Sequence, residues 1–307
     1  PPPPPPPLPP PSPPLPKALA EGLSPRYLAI WPDLFSVCGG YFTVLGVKAS
    51  PAGHQLLHHL AACYAEPKLD PESRTSLMGA LGDAAKAIGP ESFLGELPIQ
   101  IATSDGAPET AWLLSVLRGH VANASLGHFV RYFLPIQEWL LKRASSLEVE
   151  ERSVEAKNLM NLFEQVWALL PGYCGCARDA ADGFPPLAKA LGAALNDQPQ
   201  VRAPVLQALH VLIQQLRSQK TVAGGGGESG ASGGGSEGTI TVAVTAEARA
   251  GLEAMGRFAK NFLPLLFNIH QAEAVEKQQA LGDSQTPQSR SLNHASLNHA
   301  PSITHPQ

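Results

Sequence analysis

The sequence predicts an all-α chain, an α-solenoid of stacked antiparallel helix pairs with disordered ends and one glycine-rich loop. Three observations predict it. Apolar residues recur at three- and four-residue spacing in one segment after another, the mark of a helix with one buried face. Short breaks of proline, glycine or aspartate separate those segments. A phenylalanine-rich motif is written twice, once in the middle of the chain and once late.

Taken in order, residues 1–16 (PPPPPPPLPPPSPPLP) lack the amide donors and backbone freedom of a helix interior, so they read as polyproline II or disorder. Such a run suits an SH3, WW or profilin-like groove, or serves as a low-complexity spacer, which its composition favours. Residues 17–222 carry the helical repeats, with candidate helices at 26–46, 52–65, 72–88, 109–120 and 124–143. Within 156–170, Ala156, Leu159, Met160, Phe163, Val166, Trp167 and Leu170 line one face. Val205, Leu209, Leu212 and Leu216 repeat that spacing. Breaks fall at Pro51, Asp70-Pro71, Gly89-Pro90, Pro171-Gly172 and Pro185-Pro186. Residues 223–240 form a flexible glycine-rich insertion. As a phosphate-cradling loop it lacks the Gly-Lys-Ser/Thr grip. A terminal helix pair is expected over 241–272, with a candidate helix at 244–256. The alternation in TITVAVT (239–245) is too isolated to found a sheet. Residues 273–307, with the duplication SLNHA-SLNHA, read as a disordered tail.

The motif defines the repeat. Phe258 to Leu265 aligns without gaps on Phe129 to Ile136, both reading F-x-(K/R)-x-F-L-P-(I/L). Phe129, Phe133, Pro135, Phe258, Phe262 and Pro264 are therefore its structural markers, with looser echoes ending at Pro98 and Pro171. Prolines 98, 135 and 171 are spaced by 37 and 36 residues, and the 93 residues from 171 to 264 leave about two more periods once the glycine insertion is removed. A two-helix repeat of that length is of HEAT or armadillo type. The prolines then mark a kink or helix end at one shared structural place. Asp197-x-x-x-Val201-Arg202 resembles a HEAT helix start, where the aspartate can cap the helix and the arginine can reach a neighbour's acidic group.

Composition excludes some functions. Charged residues make up 16% and net charge is −4, so no global basic field draws the chain to phosphate, and any nucleic-acid contact is local. Apolar runs fall short of the roughly 20 residues of a membrane span. Cys38, Cys63, Cys174 and Cys176 match no zinc or redox spacing and read as reduced, small apolar side chains. Without a signal peptide, the sequon Asn123-Ala124-Ser125 is idle, and the missing initial Met reads as a fragment end.

Candidate chemistry is sparse. His54 and His58 share a helical face at metal-ligand spacing, but Gln55 replaces the glutamate of the catalytic zinc motif. A metal-dependent hydrolase built on them is one reading, and histidines at a helix interface the plainer one. Glu148, Glu150 and Glu151 read as a solvated helix start. Arg118, His120, Arg131, Lys142 and Arg143, interleaved with Phe129, Tyr132 and Trp139, could track an RNA backbone from a shared face. The core-like spacing of those aromatics favours solvated charges around packing.

Five runs appear in a fixed order: Gly89-Pro90-Glu91-Ser92-Phe93-Leu94 with Leu97-Pro98; Trp112 to Val121; Leu126 to Pro135; Trp167 to Cys174; and Arg257 to Pro264. Together they resemble the central part of the ribosomal RNA-processing protein twelve-like family of HEAT-repeat ribosome-biogenesis factors, over roughly residues 17–270 without the glycine insertion. The resemblance implies a non-enzymatic scaffold in nucleus and nucleolus, without cofactors and with no membrane. Its implied partners are pre-ribosomal particles, their assembly factors, pre-rRNA and nuclear transport factors, in rRNA processing and subunit export. The chain departs from full members in its length, its low-complexity ends and its glycine insertion, so it is expected to be a fragment. The alternative function is an importin- or armadillo-like adaptor for extended peptides.

Overall fold

The computed structural model describes residues 14–49, 52–100, 110–223 and 241–283. The expectations for residues 1–13, for Pro51, for 224–240 and for the tail beyond 283 lie outside the described residues. Twelve α-helices are described: α1 Leu15–Gly22, α2 Trp31–Leu45, α3 Ala52–Cys63, α4 Pro71–Ile88, α5 Pro90–Glu96, α6 Leu113–Leu117, α7 Leu126–Val149, α8 Ser153–Trp167, α9 Leu170–Gly175, α10 Ala180–Asp197, α11 Arg202–Ser218 and α12 Ala246–Asp283. Short 3₁₀ turns cover Pro25–Ile30, Gly46–Ala49 and Pro199–Val201.

Many starts share one device. Pro32, Pro71, Pro90 and Pro171 occupy the first turns of α2, α4, α5 and α9, where a missing N–H costs nothing. Asp70 adds a cap to α4, accepting bonds from the amides of Glu72 and Ser73. Its carboxyl is held below the ordinary range, first by the Ser73 hydroxyl donating to it at 2.6 Å.

Packing follows an alternating rule. α1 lies on α3 and α3 on α5, while α2 lies on α4, α4 on α6 and α6 on α8. Elements two apart in sequence thus form two tracks, which is how helix pairs stack into a HEAT-type array. Farther on, α7 packs against α8 and α10, and α9 against α11. The core runs along these contacts through Trp31, Phe35, Phe42, Phe93, Phe129, Phe133, Phe163, Trp167 and Phe184, all under 3% exposed.

Several expectations change. α1, α5, α9 and α10 are additional helices, too short for periodicity or hidden by prolines. Pro185 and Pro186 lie inside α10, because buried Phe184, Leu187, Ala188 and Leu191 carry its apolar face across the break. The repeat prolines do not share one place: Pro98 follows α5, Pro171 starts α9, and Pro135 and Pro264 sit within helices. The last two are exposed, as are Arg131 and Lys260, whose carbonyls they release to water. Asp197 is the last residue of α10 rather than a cap, and Arg202 Nε donates to the Leu195 carbonyl at 2.9 Å, filling an orphan acceptor at that helix end.

The expected terminal pair is a strand and one long helix. β2 (Thr241–Val244) pairs antiparallel with β1 (Lys220–Ala223), so the segment read as too isolated for a sheet finds its partner across the glycine insertion. α12 continues beyond 273 to Asp283, through helix formers such as Ala274, Glu276, Lys277 and Gln278. The chain divides into two compact units, one ending at Phe258 and one starting at Ala259. In the first, Phe258 meets Phe184 edge-on with ring centroids 5.8 Å apart. In the second, Phe262 and Ile269 are buried, whereas Leu263 and Phe267 are exposed.

Pro25–Ala49, 25 residues holding an 18-residue window of mean hydropathy 1.4, is long and apolar enough to cross a membrane by length and composition, which counting uninterrupted runs does not detect. Here Phe35, Cys38 and Phe42 of α2 are fully buried, and Val37 and Val44 are exposed.

Candidate interaction surface

α7 carries most of the residues singled out by sequence, and its position is held at several points. Ser125 Oγ caps it by accepting the His128 amide at 3.0 Å, which puts the sequon's serine to structural use. From the loop before α10, Asp179 reaches the same end: Oδ1 accepts the Leu126 amide at 2.6 Å and Oδ2 the Gly127 amide at 2.9 Å. Beyond this clasp, Phe129 and Phe133 are fully buried and close on Tyr173 of α9, at centroid distances of 5.3 and 5.9 Å. His128 stacks with Tyr132 and Tyr173, and its Nδ1 shares a 2.9 Å hydrogen bond with the Tyr173 hydroxyl. Burial pulls the His128 pKa down, Glu91 opposes it and Arg131 adds to it. The Tyr132 hydroxyl accepts the Ile99 amide at 2.8 Å.

These aromatics are therefore committed to packing, and Phe129 offers no face to a nucleobase. Nor are the four candidate cations gathered on one face. Arg131 and Lys142, eleven residues apart, share a side of α7, and Lys142 pairs with Glu138 at 2.6 Å. Arg143 pairs with Glu150 at 2.9 Å. Arg118, beyond α6, lines a separate groove. Glu148 lies within α7 rather than at the start of α8.

The turn from α7 to α8 explains the other two glutamates. The Arg152 amide donates to the Leu147 carbonyl at 2.8 Å and the Glu151 amide to that of Glu148 at 3.1 Å. With Glu151 at φ +61°, this is a Schellman cap formed without glycine.

Two grooves flank α8. One, of about 580 Å³, is mostly apolar, lined by Leu134, Leu141, Phe163, Trp167, Pro186 and Ala190 between α7, α8 and α10. The other, of about 670 Å³, is mostly polar and lies between α8, α9 and α11. Neither was anticipated from sequence, although both walls of the polar groove are spaced i, i+3, i+4, i+7, as a helix face requires.

The histidine pair finds a partner that sequence proximity does not supply. Glu96 of α5 receives His54 Nδ1 at 2.8 Å and His58 Nε2 at 3.1 Å, tying α3 to α5. Among the described residues, no group of three or more His, Cys, Asp or Glu is placed to hold a metal ion. Cys38, Cys63 and Cys174 are buried, and burial pushes their thiols up to about 12, 11 and 12. Cys176 is half-buried, also with a raised pKa, and donates to the Gly172 carbonyl within its own turn.

Comparison with known proteins agrees with this architecture. Residues 14–273 match the family described as ribosomal RNA-processing protein 12, HEAT repeats. The RRP12-like protein of Gallus gallus is 36% identical over 259 residues, 83% of this chain and 17% of that protein. The RRP12-like protein of Homo sapiens is 32% identical over the same proportions. The ribosomal RNA-processing protein 12 of Saccharomyces cerevisiae is 24% identical over 200 residues, 64% of this chain and 16% of its own length. The chain thus spans about one sixth of the length of these relatives. With its stacked helix pairs and a match over most of its residues, the chain belongs to the ribosomal RNA-processing protein 12 HEAT-repeat family.

Proposed function

We propose that this chain is a segment of a non-catalytic helical-repeat scaffold in ribosome biogenesis. It associates with pre-ribosomal particles and their assembly factors in nucleus and nucleolus, and supports rRNA processing and the nuclear export of subunits with transport factors. The observation that carries this reading is the family match over 14–273, whose relatives are named for ribosomal RNA processing. The physics of the array supports it, because stacked helix pairs present long continuous surfaces suited to extended partners. Arg118, Arg131, Lys142 and Arg143 are the cations offered to pre-rRNA or a protein partner. Since Lys142 and Arg143 have carboxylate partners, that contact draws on local charge rather than a basic field. An importin-type adaptor does not account for the family match.

Affinity purification of the tagged chain tests the reading. Pre-rRNA and small-subunit assembly factors should be enriched, and their absence would remove it. Crosslinking to RNA with position mapping tests the cations, and no crosslink within 110–145 would remove them as RNA contacts.

A further inference from the structure

The polar groove has a composition that selects its occupant. One wall is Asn161, Glu164 and Gln165 of α8 with Ala168 just past its end, and the other is Gln200, Ala203, Pro204 and Gln207, from the 3₁₀ turn and α11. Pro171 and Gly172 of α9 form its base, and Arg118 also lines it. Four carboxamides thus face a cleft whose remaining lining is alanine, proline and glycine together with two charged side chains, Glu164 and Arg118. A carboxamide offers both a donor and an acceptor, the two groups a peptide backbone presents at every residue. Gln200 donates to Gln198 at 2.7 Å and keeps further capacity.

Charge and size narrow the choice. The single cation Arg118 is balanced by the single anion Glu164, so the cleft is neutral. A phosphate backbone needs several uncompensated cations along its track, and this groove lacks them. Each wall spans eight residues, seven steps of 1.5 Å or about 10 Å of helix, which matches about three residues of extended chain. The volume of about 670 Å³ falls in the range of ligand clefts, about 300–1,000 Å³.

We propose that the groove between α8, α9 and α11 docks a short, neutral, extended polypeptide segment of a protein partner, held through its backbone by Asn161, Gln165, Gln200 and Gln207. This goes beyond the scaffold reading, since it assigns a surface and a partner chemistry that ribosome biogenesis does not require.

The test selects random dodecapeptides displayed on phage against the purified chain and measures the affinity of the enriched peptides by fluorescence polarisation. Replacing the amides by side chains of similar shape in Asn161→Leu/Gln207→Met removes a hydrogen-bonding group from each wall, so affinity should fall about tenfold or more. Ala203→Arg places a long side chain at an exposed groove position and should abolish binding. Gln214→Ala, exposed on α11 and outside the groove, should change nothing. Circular dichroism of each variant confirms the fold. Three results would overturn the proposal: no enriched peptide, peptides that bind the amide variants as well as the parent, or a labelled oligouridine that loses affinity in those variants while peptides do not. None of them bears on whether the chain purifies with pre-ribosomal particles, so the two readings fail separately.

Discussion

Asp179→Ala opens the clasp that fixes the start of α7. The carboxylate accepts two backbone amides, from Leu126 at 2.6 Å and Gly127 at 2.9 Å, across a separation of more than fifty residues. Hydrogen bonds to a charged group contribute about 1.5–3 kcal/mol each, and the negative charge also complements the helix N-terminus. Asp179 is half-buried, so water replaces part of what is lost, and about 2–4 kcal/mol is expected overall. For an array of this size that corresponds to a fall in Tm of about 4–16 °C. Because repeat arrays can unfold in parts, hydrogen exchange of the Leu126 and Gly127 amides is the sharper assay, and both should lose protection. Asp182→Ala, an exposed position on α10, is the control and should stay within about 0.5 kcal/mol. If Asp179→Ala melts with the parent and those amides exchange at the parent rate, the clasp does not hold α7.

Three further outcomes follow from the packing. Glu151→Gly should stabilise by about 0.5–1 kcal/mol, since glycine adopts the left-handed cap without the cost a side chain incurs there, and a lower denaturation midpoint would contradict the cap assignment. Phe133→Ala should cost about 3–5 kcal/mol in chemical denaturation, because the fully buried ring contacts Phe129, Tyr132 and Tyr173. At neutral pH the native chain should react slowly with a thiol reagent, Cys176 first, while Cys38, Cys63 and Cys174 stay shielded until denaturant is added. Fast modification of all four in the folded chain would show that those thiols are not buried.

Local order was readable from the chain itself. The spacing from Ala156 to Trp167 marks α8, Asp70 before Pro71 marks the start of α4, and the repeated motif aligns α7 with α12, because helix periodicity and first-turn chemistry are set by neighbours three or four residues away. The ordered motifs also carry the family. Proline is where local reading failed. Pro135, Pro185, Pro186 and Pro264 look like stops, yet their helices continue because tertiary burial of the apolar face outweighs a lost backbone bond. Only the tertiary structure decided which distant groups meet. Asp179 lies on the amides of Leu126 and Gly127, Glu96 between His54 and His58, and the amides of α8 opposite those of α11, and no local pattern encodes these pairings. The basic stretch shows the same division: its cations are contiguous in sequence, but helix geometry and nearby carboxylates disperse and neutralise them. The sequence by itself determined the longer periodic helices and the family, whereas the short or proline-interrupted helices and the surfaces left open to partners depended on how the helices stack.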